Sequence, residues 1–180
     1  MRLLLALIVL GLTLAGSLGA DDPKNKMKVE VAKGKVKING NELAIPGDLA
    51  AFEKAFGKPS GSIKDPVSDT NKYIYWKDLG IRCSQSTKDK QPIQEIEFNF
   101  EPAYDLSAKA RAKPFIGELI VEGVVISKAS SKDDAKKIMN GSDSFGSWKV
   151  DYNEPPLQVV INPSEVGTKS VNVLVPLIAR

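Results

Sequence analysis

The sequence predicts an α+β protein made of two tandem copies of a β-hairpin–helix–three-strand unit, mainly antiparallel sheets with one helix each. Three observations predict it. Val36 and Ile38 alternate with Lys35 and Lys37, Asn39-Gly40 supplies the two positive-φ positions of a tight hairpin turn, and Leu43 and Ile45 resume the alternation. The same order returns further along: Leu119 and Val121 lead into Glu122-Gly123, and Val124 and Ile126 come back out. Each hairpin is followed by a capped helical pattern and then by an aromatic strand, Tyr73 to Trp76 in the first case and Trp148 to Tyr152 in the second.

The elements follow in order. Val29 and Val31 alternate with Lys28 and Glu30 and predict a strand ahead of the first hairpin. Asp48 is placed to cap a helix whose apolar face is Leu49, Phe52, Ala55 and Phe56, with Gly57 and Pro59 as its stop. Residues 60–71 are rich in Gly, Ser, Asp and Pro and read as a loop. Asp65, Asp69 and Asn71 suggest calcium, but the central Gly and closing Glu of an EF-hand loop are missing, so a solvated loop is expected. Strands at 73–76 and 81–84 are joined at Lys77 to Gly80, and residues 86–91 form a polar turn. Ile96, Phe98 and Phe100 then alternate with Glu95, Glu97 and Asn99. If that strand neighboured the first hairpin, its acidic row would meet Lys35 and Lys37.

In the second half Ser131 and Asp134 have capping-box spacing. Ala135, Ile138 and Met139 make the helix face, and Gly141 stands where Gly57 stood. Leu157 to Ile161 and Val171 to Leu177 are apolar and β-branched, with a turn or loop at 164–170 and the last strand central. The expected organisation is a signal peptide at 1–20, a first ββαβββ unit at 21–102, a linker at 103–114 and a second, degenerate unit at 115–180.

The leader shows why. Arg2 gives a positive start, Leu3 to Leu14 is an apolar run broken only by Gly11 and Thr13, and small residues follow. The run is short for a bilayer span. Leu14-Ala15-Gly16-Ser17 looks like a bacterial lipoprotein box with Ser where the lipidated Cys belongs. The expectation is a soluble periplasmic or secreted protein, with no stable membrane insertion after cleavage. Without Arg2 the balance is 24 Lys and Arg against 22 Asp and Glu, so no nucleic-acid partner is implied. Cys83 is the one cysteine, which excludes an internal disulfide and predicts a buried small apolar group, with an intermolecular bridge as the sharper alternative.

The chain has no histidine, and with one Cys it offers neither Ser-His-Asp nor Cys-His catalysis, nor the usual zinc sets. No Lys has a Ser three residues before it, and no Gly-rich phosphate loop occurs. Glu95 and Glu97 share a strand face roughly 6.5–7 Å apart by strand rise, a spacing a glycosidase can use, but a solvated sheet face is the expectation. The prediction is no catalytic residues, no cofactor and no metal. Tyr73, Tyr75, Trp76 and Trp148 are the candidate partner-binding residues. If Ile74 and Trp76 are core, Tyr73 and Tyr75 point the other way, side by side, as interface tyrosines do.

From Lys35 to Phe100 the chain reads K-V-x-I-N-G-x-x-L-x-I-P-G-x-L, then F-G-K-P, then Y-x-W-x-D-L-G-I, then I-x-x-I-x-F-x-F. This resembles a repeat domain of small exported bacterial proteins of unassigned activity, some of them similar to immunity proteins against toxins of contact-dependent or type VI secretion systems. The second half keeps hairpin, helix and Gly but lacks W-x-D-L-G-I. The resemblance brings no catalytic residues. It implies a non-enzymatic immunity- or inhibitor-type protein with one protein partner, a toxin or enzyme. The alternative is an envelope structural or small-ligand module for lipid or glycan.

Overall fold

The computed structural model describes residues 26–65, 68–87, 92–101, 113–140, 146–164 and 167–176. The expected signal peptide, the linker up to residue 112, and Gly141 lie outside them.

Twelve strands and two helices are named in chain order. The first half holds β1 (Lys28–Ala32), β2 (Lys35–Ile38), β3 (Asn41–Leu43), α1 (Leu49–Phe56), β4 (Gly61–Lys64), β5 (Asn71–Trp76), β6 (Ile81–Ser86) and β7 (Ile93–Asn99). The second half holds β8 (Glu118–Val121), β9 (Val124–Ile126), α2 (Lys132–Lys136), β10 (Trp148–Asn153), β11 (Pro156–Ser164) and β12 (Gly167–Leu174). Mostly antiparallel sheets with two short helices make this an α+β fold.

Local chemistry accounts for the elements. The β2–β3 turn has Asn39 at φ 50° and Gly40 at φ 82°, and the β8–β9 turn repeats this with Glu122 at 46° and Gly123 at 81°. Both are the positive-φ pair that matches strand twist. Asp48 accepts a 2.8 Å bond from the Ala51 N–H, and Gly57, at φ 80°, donates to Glu53 O at 2.8 Å to close α1. Ser131 and Asp134 form the capping box, with each side chain accepting from the other's backbone N–H. The helix it opens is only five residues long, so Ile138 and Met139 pack from beyond its end.

Two sheets share one core. The five-stranded sheet has the order β3-β2-β1-β8-β9 and the seven-stranded sheet β10-β11-β12-β7-β6-β5-β4. All described pairs are antiparallel except β1 with β8. Both sheets therefore mix strands from the two halves of the chain. Val29, Val31, Val36, Ile38, Leu119, Val121 and Ile126 meet Ile74, Trp76, Ile81, Cys83, Ile96, Phe98, Val159, Ile161, Val171 and Val173 in one buried cluster. Phe52 and Phe56 of α1 join it, Phe56 lying edge-on to Trp76 at 5.4 Å between ring centroids.

Gly80 explains one element of the Asp-Leu-Gly-Ile run. It has φ 69°, and a Cβ there would stand 2.3 Å from the Phe115 backbone N. The returning chain crosses it closely, with Lys113 N donating to Lys77 O and Phe115 N to Asn99 O.

Three expectations are corrected. The loop expected at 60–71 contains β4 and the start of β5, because Gly61 to Lys64 pair with Tyr75 to Lys72 at the sheet edge. The loop expected at 164–170 is largely the β11–β12 hairpin, extended past a register shift at Asn162/Pro163. The acidic row of β7 does not face Lys35 and Lys37: β7 lies between β6 and β12, in the other sheet, and Lys35 pairs with Glu42 at 3.3 Å.

Candidate functional site

Strand alternation decides where the four candidate aromatics go. Ile74 and Trp76 point into the core, so Tyr73 and Tyr75 point to the outer face of the seven-stranded sheet. Trp76 is 2% exposed and its indole N–H donates to Gly57 O at 2.7 Å, tying β5 to the end of α1. Trp148 is 6% exposed. Both tryptophans are core residues, and neither offers its ring to a partner. Tyr152 is partly buried against the same core.

The two tyrosines are half-buried, and each is covered differently. The Arg82 guanidinium lies over the Tyr73 ring at 4.4 Å, and the Tyr73 hydroxyl donates to Asp65 at 3.0 Å. Burial first, then the Asp65 bond, raises the Tyr73 pKa. Tyr75 stands over Gly61: a Cβ on that glycine would meet the Tyr75 hydroxyl at 2.6 Å. Gly61 is thus the space the Tyr75 ring uses.

Register brings the rest together. Tyr75 is opposite Arg82, Arg82 opposite Glu97, and Glu97 opposite Asn172; one step along, Tyr73 is opposite Ser84 and Ser84 opposite Glu95. Arg82 donates from Nε and Nη2 to one Glu97 oxygen, each at 2.6 Å. Asn172 donates to Glu95, and Asn162 donates to Asn172 at 2.7 Å while accepting from Ser147 at 3.0 Å. The result is a polar lattice on one sheet face: hydrogen bonds join Arg82 of β6 to Glu97 of β7, and Glu95 of β7 through Asn172 of β12 to Asn162 of β11, while Tyr73 of β5 is covered by Arg82. Glu95 and Glu97 are therefore half-buried and bound, not the solvated pair the sequence suggests.

Electrostatics follow from that placement. Burial raises the Glu95 pKa, against which the Asn172 bond acts. Cys83, fully buried on the core side of β6, has its thiol pushed well up by burial. The depression bounded by Tyr73, Arg82, Ser84, Glu95 and Glu97 has a volume of about 70 Å³, room for a pair of waters and far too little for a sugar ring. Glu97 is held by Arg82. Such a lattice presents a fixed pattern of donors and acceptors. Among the described residues no group of three or more His, Cys, Asp or Glu converges as a metal site.

Arg82, Asn172 and Asn162 do not stand out as site residues in the sequence, and Asp65 stands out only as one of the calcium-suggesting residues of the expected loop, not as a partner of Tyr73. A signal for Arg82 exists: the short Lys77–Gly80 turn sets Ile81 opposite Trp76, which places Arg82 on the tyrosine face. Asn172 joins through β12, some 75 residues away, with no local cue.

A larger concavity lies elsewhere. Between β3 and α1 runs a groove of about 470 Å³, lined by Ile38, Leu43, Ala51 and Ala55, with Glu42 and Lys54 at its rim.

Residues 28–136 match the family described as a domain of unknown function (DUF7738), and the chain belongs to that family. The match spans the whole five-stranded sheet and β4 to β7, and stops before β10, β11 and β12. No curated protein and no solved structure matches the chain.

Proposed function

We propose that this member of the DUF7738 family is an exported, non-enzymatic binding protein of the periplasm that neutralises one protein partner, a toxin or enzyme. The observation that carries this reading is Tyr75, half-exposed on a sheet face whose neighbouring polar groups already hold one another. A surface ordered before binding loses little conformational entropy on binding, and a tyrosine is the residue type such surfaces use as an anchor.

The two halves of the chain are, in this reading, tandem copies of one unit. Support comes from the strand orders. About the antiparallel β12–β7 pair, β12, β11 and β10 mirror β7, β6 and β5. In the other sheet β2–β3 and β8–β9 flank β1, with β2 antiparallel and β8 parallel to it. On the tandem-copy reading, one pseudo-two-fold axis through β1 and between β12 and β7 is expected to relate both sets. A strand on such an axis must have one antiparallel and one parallel neighbour, which accounts for the parallel pair.

The test is capture from the envelope fraction of the native host with residues 21–180, wild type and Tyr75→Ala side by side. One stoichiometric protein, retained by the wild type and lost with the variant, is expected. An empty capture from folded protein, with a thermal shift on adding lipid or glycan, would replace this reading by the small-ligand module.

A further inference from the structure

We propose that the groove between β3 and α1 accepts an extended, acidic–apolar peptide segment of a partner protein as a sixth strand of the five-stranded sheet. This site is separate from the tyrosine face and stands whether or not that face binds.

The backbone supplies the first argument. The two-residue turn at Asn39-Gly40 makes Ile38 and Asn41 the hydrogen-bonded pair that flanks it, so Lys37 and Glu42 form the next, non-hydrogen-bonded pair. Glu42 N–H and C=O therefore point away from β2. Because β3 ends the sheet order, they face the groove. One donor and one acceptor on an open edge are what strand addition uses.

The side chains supply the second. Helix α1 turns Phe52 and Phe56 inward and gives the groove Ala51 and Ala55, four residues apart on one face. Two methyl groups opposite Ile38 and Leu43 leave a trough with an apolar floor. Its volume, about 470 Å³, falls within the range of ligand sites.

Charge selects the occupant. The Glu42 carboxylate is held by Lys35 on the sheet's outer face. Lys54, exposed at the rim, makes no ion pair among the described residues. An incoming carboxylate near an apolar side chain satisfies both Lys54 and the floor. A second copy fits poorly, since antiparallel β3–β3 pairing about Glu42 would set that carboxylate opposite its own copy.

The probe is a phage-displayed library of random nonapeptides panned on residues 21–180. The peptides selected are then measured by fluorescence anisotropy and by amide shift mapping. Expected are sequences pairing an acidic with an apolar residue, with shifts at 41–44 and 51–55. Glu42→Pro removes an N–H that the fold does not use and an exposed ion pair to Lys35 that contributes little, so it should stay folded and bind about tenfold or more weakly. Ala55→Phe should fill the trough and abolish binding, and Lys54→Glu should reverse the acidic preference. Selection of no such peptide, shifts elsewhere, or unchanged binding by folded Glu42→Pro would overturn the proposal. So would a concentration-dependent dimer that Glu42→Pro dissolves, or groove shifts on removing residues 1–26 from the full chain.

Discussion

Arg82 and Glu97 sit directly opposite each other on β6 and β7, and two guanidinium nitrogens converge on one carboxylate oxygen, each at 2.6 Å. Their side chains are 26% and 12% exposed, so solvent screens the pair only in part. The same guanidinium covers Tyr73. One residue thus neutralises a half-buried carboxylate and fixes an aromatic ring.

Arg82→Ala should therefore cost about 1–3 kcal/mol, chiefly by leaving Glu97 uncompensated. Glu97→Gln in the Arg82→Ala background should recover part of that loss. Urea denaturation of the four proteins in the cycle measures the coupling. Additive single effects would mean that the pair contributes nothing.

Glu95 gives the protein a pH dependence of unusual sign for a carboxylate. Its folded pKa is raised above 4.5 by burial, so over the window from 4.5 up to that raised value the folded state binds more protons than the unfolded one. Stability contributed by this group is then present below 4.5 and is lost as pH rises through the folded pKa. Glu95→Gln should melt higher than wild type at pH 7 and alike at pH 4, by thermal unfolding across that range. Asp134 works the other way. Its pKa is lowered to about 2, by Lys137 first and Ser131 next, so its contribution is present above 3.8 and is lost as pH falls towards 2.

Trp76 and Trp148 are core residues, and fluorescence should report them so: blue-shifted emission and weak acrylamide quenching in the native state. Trp76→Phe keeps a ring beside Phe56 but loses the bond to Gly57 O, and about 1–2 kcal/mol is expected to go with it. Trp76→Ala should cost about 3–5 kcal/mol. Partner capture by Trp76→Phe should match the wild type, because the ring is not at the surface.

A chain ended at Lys136, where the family match stops, should not fold as a soluble monomer. It lacks β12, which pairs with β7 from Ser170↔Asn99 to Leu174↔Glu95. Its removal would bare the β7 edge and uncover Ile96 and Phe98. Size-exclusion chromatography should show aggregate; a folded monomer would mean that the family's domain is complete without the last three strands.

Much of the site is legible in the residue order, though not its depth or its bonding. Alternation from Tyr73 to Trp76 separates a tyrosine face from a core face, and the fold keeps that separation. Alternation says nothing of how far a ring lies from solvent. Trp76 and Trp148 stand out as aromatics, yet a strand pattern is the same whether a ring meets water or a helix. The Glu95 and Glu97 row reads as a solvated face because its partners, Arg82 and Asn172, come from other strands.

Local geometry is written in the sequence alone: both predicted hairpin turns, the Asp48 cap and the Gly57 stop of α1, the Ser131–Asp134 box, and the inward side of the strands that alternation predicts. These depend on φ preferences, side-chain-to-backbone bonds within four residues, and a period of two. Tertiary packing is what puts β8 beside β1 and β12 beside β7, interleaving the two halves in both sheets. Those choices join residues 70 or more positions apart, where no turn sets the register. Burial of two apolar faces against each other sets it instead, and with it the lattice around Tyr73 and the open edge at Glu42.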